Sequence, residues 1–183
     1  MPCQLLRDGQ IVSDDWRYWE EGASHAGALI LRFEQWLQER DAWIARGGRL
    51  GVVLSPAHRV PQLLPDLSHF ALIAADFTGP SEGRGYSQGR LLRENWKFTG
   101  ELRATGYVRQ DQVFFMARCG FNSFELPAGE LAAARAAFNT FSAAYQPSND
   151  AGLRVKLARH EAPRQRRDTP ANGGNGDSLA APP

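Results

Sequence analysis

Charge of one sign, cysteine and long apolar runs are all scarce in this 183-residue chain, and each scarcity removes a class of function. Twenty-one Lys and Arg face 20 Asp and Glu, a formal net charge of +1, so no overall field draws the chain to nucleic acid or an anionic membrane. Six of the bases but four of the acids follow Gln146; the body before it is close to neutral, and nucleic-acid binding is not expected of it. The two cysteines, Cys3 and Cys119, stand in no CxxC or Cys/His spacing, which argues against a disulfide or zinc framework. His25, His58, His69 and His160 are scattered and form no zinc-enzyme pattern. With no run of about 18 apolar residues and no basic-then-apolar start in MPCQLLRDGQ, neither a membrane span nor a signal peptide is expected. The expectation is a cytoplasmic protein with reduced thiols.

Nucleotide fingerprints are missing too. No GK followed by Ser or Thr occurs, and Gly83, Gly85 and Gly89 are one residue too widely spaced for the dinucleotide motif. Gly85-Tyr86-Ser87-Gln88-Gly89 does spell G-x-S-x-G. A nucleophile elbow, however, joins a strand directly to a helix, whereas the apolar strand run before this stretch ends at Asp76-Phe77. No cofactor is therefore identified from the residues.

What is present is an alternation of strand and helix. Apolar content of 43% with 22% charged residues is that of a globular chain, and the length suits one domain. Asp8-Gly9 between short apolar runs signals a hairpin, and Trp16 and Trp19 suggest a flap packed on the domain, so that residues 1–25 make a hairpin and flap. Leu29, Ile30, Phe33, Trp36, Leu37 and Ile44 recur at helical spacing, predicting a helix over about 26–46 stopped by Gly47-Gly48. RLGVVLSP, FALIAADF, ELRATG and FNSFEL read as strands, with helices after the last three of them near 88–96, 108–120 and 129–146 and a proline-interrupted helical turn after the first. The expected fold is α/β: a four-strand parallel sheet of repeated strand-helix units, an open sheet or a partial barrel, over residues 1–146. Residues 147–183, rich in Pro, Gly, Asn and Arg, read as a disordered basic tail.

Ligands of parallel sheets gather at the carboxyl ends of the strands. There the turn Ser81-Glu82-Gly83-Arg84-Gly85-Tyr86-Ser87 opens a helix. Its glycines would let amides approach an anion, with Arg84, Arg90 or Arg93 adding charge; equally, the glycines would serve a tight turn with Ser81 as helix cap. Arg103 lies on a strand read as buried and needs a carboxylate, for which Asp76, Glu82 and Asp111 are the candidates. Asp111 also suits the start of a helix. The candidate ligand-binding set is Gly83, Arg84, Gly85, Tyr86, Ser87, Arg93, Arg103 and Asp111. Cys119, beside Arg118 and a helix-ending glycine, reads as a packed small residue rather than a reactive thiol.

EGRGYSQGRLLR, GELRATGYVRQDQ and RCGFNSFEL occur in that order. Together they resemble the linked blocks of a family of small bacterial proteins of undefined function, typically encoded beside assimilatory sulfite reductase and often labelled a probable oxidoreductase in sulfite reduction. The resemblance covers about Leu50 to Leu126. This chain has Glu82, Gly89 and Tyr107 where that family usually has Asp, Ala and Asp. The resemblance implies a setting, an accessory role in sulfite reduction with sulfite reductase or its electron donor as partner, while an anionic or phosphate-bearing small molecule is the partner that the glycine-arginine turn and Arg103 suggest. Docking without catalysis, through the Trp16/Trp19 flap or the basic tail, and an independent oxidoreductase with a dissociable cofactor are the alternatives.

Overall fold

A computed structural model describes residues 4–21 and 27–140. Eight strands make up one mixed sheet: β1 Gln4–Arg7, β2 Gln10–Ser13, β3 Trp16–Tyr18, β4 Ala28–Arg32, β5 Leu50–Leu54, β6 Phe70–Phe77, β7 Glu101–Gly106 and β8 Ser123–Phe124. The helices are α1 Phe33–Gln38, α2 Arg40–Arg46, α3 Arg84–Glu94, α4 Val113–Arg118 and α5 Leu131–Thr140; 3-10 turns occupy Val60–His69 and Ala128–Glu130. Strand order is β2-β1-β8-β7-β6-β5-β4-β3. From β3 to β8 every neighbour is parallel and consecutive in sequence, while β1 lies antiparallel to both β8 and β2.

The α/β class and the hairpin agree with the sequence reading. At the hairpin turn Asp8 (φ 50°) and Gly9 (φ 75°) both adopt the left-handed conformation that a two-residue turn needs. The four expected parallel strands are β5 to β8, but they are half of a larger sheet. The predicted helix over 26–46 begins instead as β4, and only Phe33 onward is helical, in two short pieces. Its first four residues, Ala28 to Leu31, are all buried, as in a parallel strand covered on both faces; such a run also satisfies a three-and-four spacing by coincidence. Likewise the expected flap is strand β3, with Trp16 buried and Trp19 set edge-on to Trp43 at 5.5 Å. The reading of a disordered tail falls on residues outside those described.

The sheet has to curl. Laid flat, eight strands would separate β2 from β3 by about 34 Å. Yet only Asp14 and Asp15 join Ser13 to Trp16, and three Cα steps span at most about 11 Å. The result is an open, curled sheet, a half-barrel. Successive crossovers of one hand put the helices on one side: Phe33, Trp36, Trp43, Leu92, Met116, Leu131 and Phe138 from the helices join Leu31, Val52, Ile73, Leu102 and Phe124 from the strands in one large core. The opposite, concave face carries a smaller cluster of Trp16, Ala28, Ile30, Leu72 and Ala74, with Val53 packed against it.

Candidate functional site

Strand alternation decides what the concave face shows at its carboxyl end. Two residues beyond Trp16, Ile30, Val53, Ala74, Arg103 and Ser123 come Tyr18, Arg32, Ser55, Asp76, Thr105 and Glu125. Because side chains on a strand repeat with period two, each of the six parallel strands delivers one polar residue to the same rim. The rim is hydrogen-bonded on one side. Tyr18 Oη donates to Glu125 Oε1 at 2.8 Å and lies 3.2 Å from Thr105 Oγ1, while Thr105 donates to Glu125 Oε2 at 2.5 Å. Burial of its hydroxyl and the adjacent Glu125 charge push the Tyr18 phenol well above its ordinary pKa, although the ring remains 43% exposed.

Across the rim, Asp76 is half-buried, and its carboxylate makes no hydrogen bond or ion pair among the described residues. Desolvation raises its pKa; Arg32 opposes the shift and Glu125 adds to it. Gly106 (φ 82°) abuts this carboxylate so closely that a Cβ there would strike Asp76 Oδ1. Ser55 ends β5 in a local turn: its N–H donates to His58 Nδ1 at 3.0 Å, and its hydroxyl lies 3.1 Å from the same nitrogen. The proton is thereby assigned to Nε2, which meets Glu34 Oε1 at 2.9 Å. These three residues resemble a nucleophile triad in composition. A backbone N–H already engages the Nδ1 lone pair, however, so the imidazole acts as the acceptor of a turn rather than as a base toward Ser55.

Below the rim lies the floor. Arg103 is fully buried and is held by Asp14 through both terminal nitrogens (2.8 and 2.9 Å), by Glu101 (2.8 Å) and by Glu125 (2.9 Å). Glu101 also meets Arg7 at 3.5 Å. Burial alone would lower the guanidinium pKa, but Asp14 and Glu101 overcome it and the net shift is upward. The expected carboxylate network therefore exists, but with a different membership: Asp14, Glu101 and Glu125 in place of Asp76, Glu82 and Asp111. Asp14 comes from the β2–β3 link, a contact that sequence reading has no means of finding because it depends on the curl. Glu101 was legible in principle, being two residues from Arg103 and so on the same face of one strand.

The glycine-arginine block lies elsewhere. α3 packs through Leu92 into the helix-side core, so Arg84 and Arg103 stand on opposite faces of the sheet and do not converge. Gly85 and Gly89 form the packing stripe of α3: a Cβ on Gly85 would lie 2.6 Å from the Phe77 ring, and one on Gly89 would press equally into Phe121. Gly83, by contrast, has ordinary φ and open space around it. The first free amide of α3, Arg84 N–H, donates to Glu82 Oε1 at 2.8 Å. Arg84 and Ser87 are exposed, and the Arg84 guanidinium has no partner among the described residues. Tyr86 packs between Phe77, edge-on, and Phe115, tilted, each ring centroid 5.1 Å away, and burial raises its pKa.

Arg93 is a clamp. Its guanidinium donates to the carbonyls of Gly120 (2.9 Å), Gly100 (2.9 Å) and Phe98 and to Asn122 Oδ1 (3.3 Å), tying α3 to the loops before β7 and β8. Gln88, buried in the same helix, donates to the carbonyls of Ser55 and His58, both at 2.9 Å. Asp111 is exposed before α4, whose N-cap is Gln112. Cys119 is buried, and burial pushes its thiol pKa up despite Arg90 and Arg118. Among the described residues no group of three or more His, Cys, Asp or Glu is arranged to hold a metal, and no helix is long and apolar enough to cross a membrane.

A family model described as "Bacterial protein of unknown function (DUF934)" matches residues 51–154. The chain belongs to the DUF934 family. The DUF934 match begins within β5, so it takes in Ser55, Asp76, Arg103, Thr105 and Glu125 but not Asp14, Tyr18 or Arg32. Two of the six rim residues, Tyr18 and Arg32, and Asp14, which holds Arg103 through both terminal nitrogens, thus come from the segment that precedes the matched region. No curated protein matches the chain.

Proposed function

We propose that this DUF934 protein is an accessory factor in assimilatory sulfite reduction that binds a small anionic or phosphate-bearing molecule at the carboxyl-end rim of its half-barrel. The observation that carries the binding is the rim itself: Tyr18, Arg32, Ser55, Asp76, Thr105 and Glu125 arrive from six strands onto one edge of one face, the place where strand-helix folds assemble ligand sites. The setting rests on the resemblance carried by the three blocks between Glu82 and Leu126. Arg32 supplies the positive charge of the rim, whereas Arg103 is neutralised by its own carboxylates and serves as a floor. Thermal shift and titration calorimetry against sulfite, phosphate, adenylyl nucleotides and nicotinamide cofactors test the reading. A saturable response to at least one is expected; a flat response to all of them removes it.

Docking without catalysis onto sulfite reductase or its electron donor is supported by a different observation. Phe115 is 58% exposed on α4 while its ring packs on Tyr86, an apolar surface of the kind used by protein contacts. Here Phe115→Ser is expected to abolish co-purification with sulfite reductase or its donor while leaving small-ligand binding unchanged; retained co-purification rejects it.

A further inference from the structure

Nearly every charged group on the concave face is engaged by another part of the protein. Arg103 has three carboxylates, Glu101 has Arg103 and Arg7, Asp14 has Arg103 and the Trp16 N–H, and Glu125 has Arg103, Tyr18 and Thr105. Arg32 and Asp76 are the exceptions. Neither side chain makes a hydrogen bond or ion pair among the described residues, although they belong to the same face. Arg32 pairs in register with Val53, and Val53 with Ala74, two residues before Asp76. That places their Cα atoms about 12 Å apart across the half-exposed Val53. Their charges feel each other, but they do not form a pair. A charged donor and a carboxyl are thus held on one face, with Val53 between their strands.

Resting on the reading of the rim as a small-molecule site, we infer that Arg32 and Asp76 form a proton-coupled anion subsite. The guanidinium takes the anionic oxygens of a small oxyacid or carboxylic acid, and the neutral Asp76 carboxyl donates its proton in a hydrogen bond to an adjoining ligand oxygen. Charge dictates the proton. The groups acting on Asp76 are Arg32 from β4 and Glu125 from the end of β8; Thr105, its register partner on β7, carries no charge. An anion brought beside ionised Asp76 would meet its negative charge with Arg32 to offset it, because Arg103 is already engaged by Asp14, Glu101 and Glu125. Protonation of Asp76 removes that charge, and the desolvation that already favours its neutral form makes the uptake easier. Ligand binding and proton uptake are then linked, and affinity falls as pH rises through the raised Asp76 pKa.

Sulfate is the appropriate probe, because its own charge stays constant between about pH 5 and pH 8. Calorimetric titrations in buffers of different ionisation enthalpy report the protons taken up per sulfate bound. In the wild type, proton uptake with sulfate is expected above the raised Asp76 pKa, with affinity weakening as pH rises. Arg32→Ala, at an exposed position, should fold normally and lose at least tenfold in affinity. Asp76→Asn, which keeps a hydrogen-bond donor but cannot ionise, should bind sulfate at least as tightly as the wild type at neutral pH and show no proton uptake. Wild-type affinity in Arg32→Ala, undiminished uptake in Asp76→Asn, or no sulfate binding by the wild type at millimolar concentrations would each overturn the subsite. If another ligand of the panel above still binds, the rim reading survives that failure; if none does, both fall together.

Discussion

Arg103 and Arg32 both rise from parallel strands onto the concave face, yet they sit in opposite electrostatic situations. Arg103 is sealed in the floor with three carboxylates around it, and one of these, Asp14, lies in the two-residue link between the edge strands of the sheet. Its ion pairs therefore hold the curl, joining β7 to the seam where β2 gives way to β3. Arg32 and Asp76 at the rim are partly solvated and have no hydrogen-bond or ion-pair partner among the described residues. A buried charge must be matched within the protein, whereas a charge at a solvated rim is tolerated without a partner and stays available to a ligand. One face thus divides into a structural floor and a receptive rim.

The largest effect should come from breaking the floor. Arg103→Met leaves Asp14 and Glu125 without their counter-ion and Glu101 with Arg7 alone, and is expected to cost about 3–5 kcal/mol in denaturant unfolding, a large part of the stability of a typical domain. A rim change of the same chemical severity, Arg32→Ala, should leave the unfolding midpoint nearly unmoved; equal losses for the two arginines would erase the distinction.

A second pair sharpens the contrast on the helix side. Gly85→Ala drives a Cβ into the Phe77 ring and should cost about 1–3 kcal/mol, while Gly83→Ala two residues earlier should stay within about 0.5 kcal/mol. Similar values for both would mean that α3 does not pack as described. Tyr18→Phe removes a donor to Glu125 at the boundary between floor and rim and should cost about 1 kcal/mol, measurable by the same titration.

The smallest effect concerns the rim and runs the other way. The folded state raises the Asp76 pKa, so protonation favours folding, and this contribution, complete below the unfolded pKa, is lost as pH rises through the folded one. Asp76→Asn should accordingly raise Tm slightly at pH values above the raised pKa and show no advantage below the ordinary carboxylate pKa of about 4. A lowered Tm at neutral pH would show that the ionised carboxylate is stabilised after all.

How far these regions were legible in the chain differs for a physical reason. β5, β6 and β7 announce themselves as apolar runs bounded by Pro, Gly or charge, and Gly47-Gly48 and Gly120 mark helix ends where positive φ is required. β3 and β4 were hidden: three residues of mixed character do not show a period, and ALIL preceding a true helix merges with its spacing. The stretch from Gly83 to Gly89 reads as an anion site because glycine and arginine together suggest anion binding, yet two of its three glycines, Gly85 and Gly89, are explained by the rings they face, which the local sequence does not name. Arg93 shows the same limit, since a clamp on three carbonyls looks in sequence like an exposed basic residue in the last turn of a helix.

The sequence by itself determined the α/β class, the hairpin at Asp8-Gly9, the parallel strands β5 to β8, and the need for Arg103 to find carboxylates, because these follow from local backbone preference, side-chain period and the cost of burying a charge. Tertiary structure alone decided which carboxylates answer Arg103, that Arg84 stands on the other side of the sheet, and that Tyr18, Arg32 and Asp76 share a rim. Those facts depend on strand order and curl, set by a two-residue link too short to span a flat sheet and by crossovers of one hand. Neither leaves a mark on the residues nearest to the groups that they bring together.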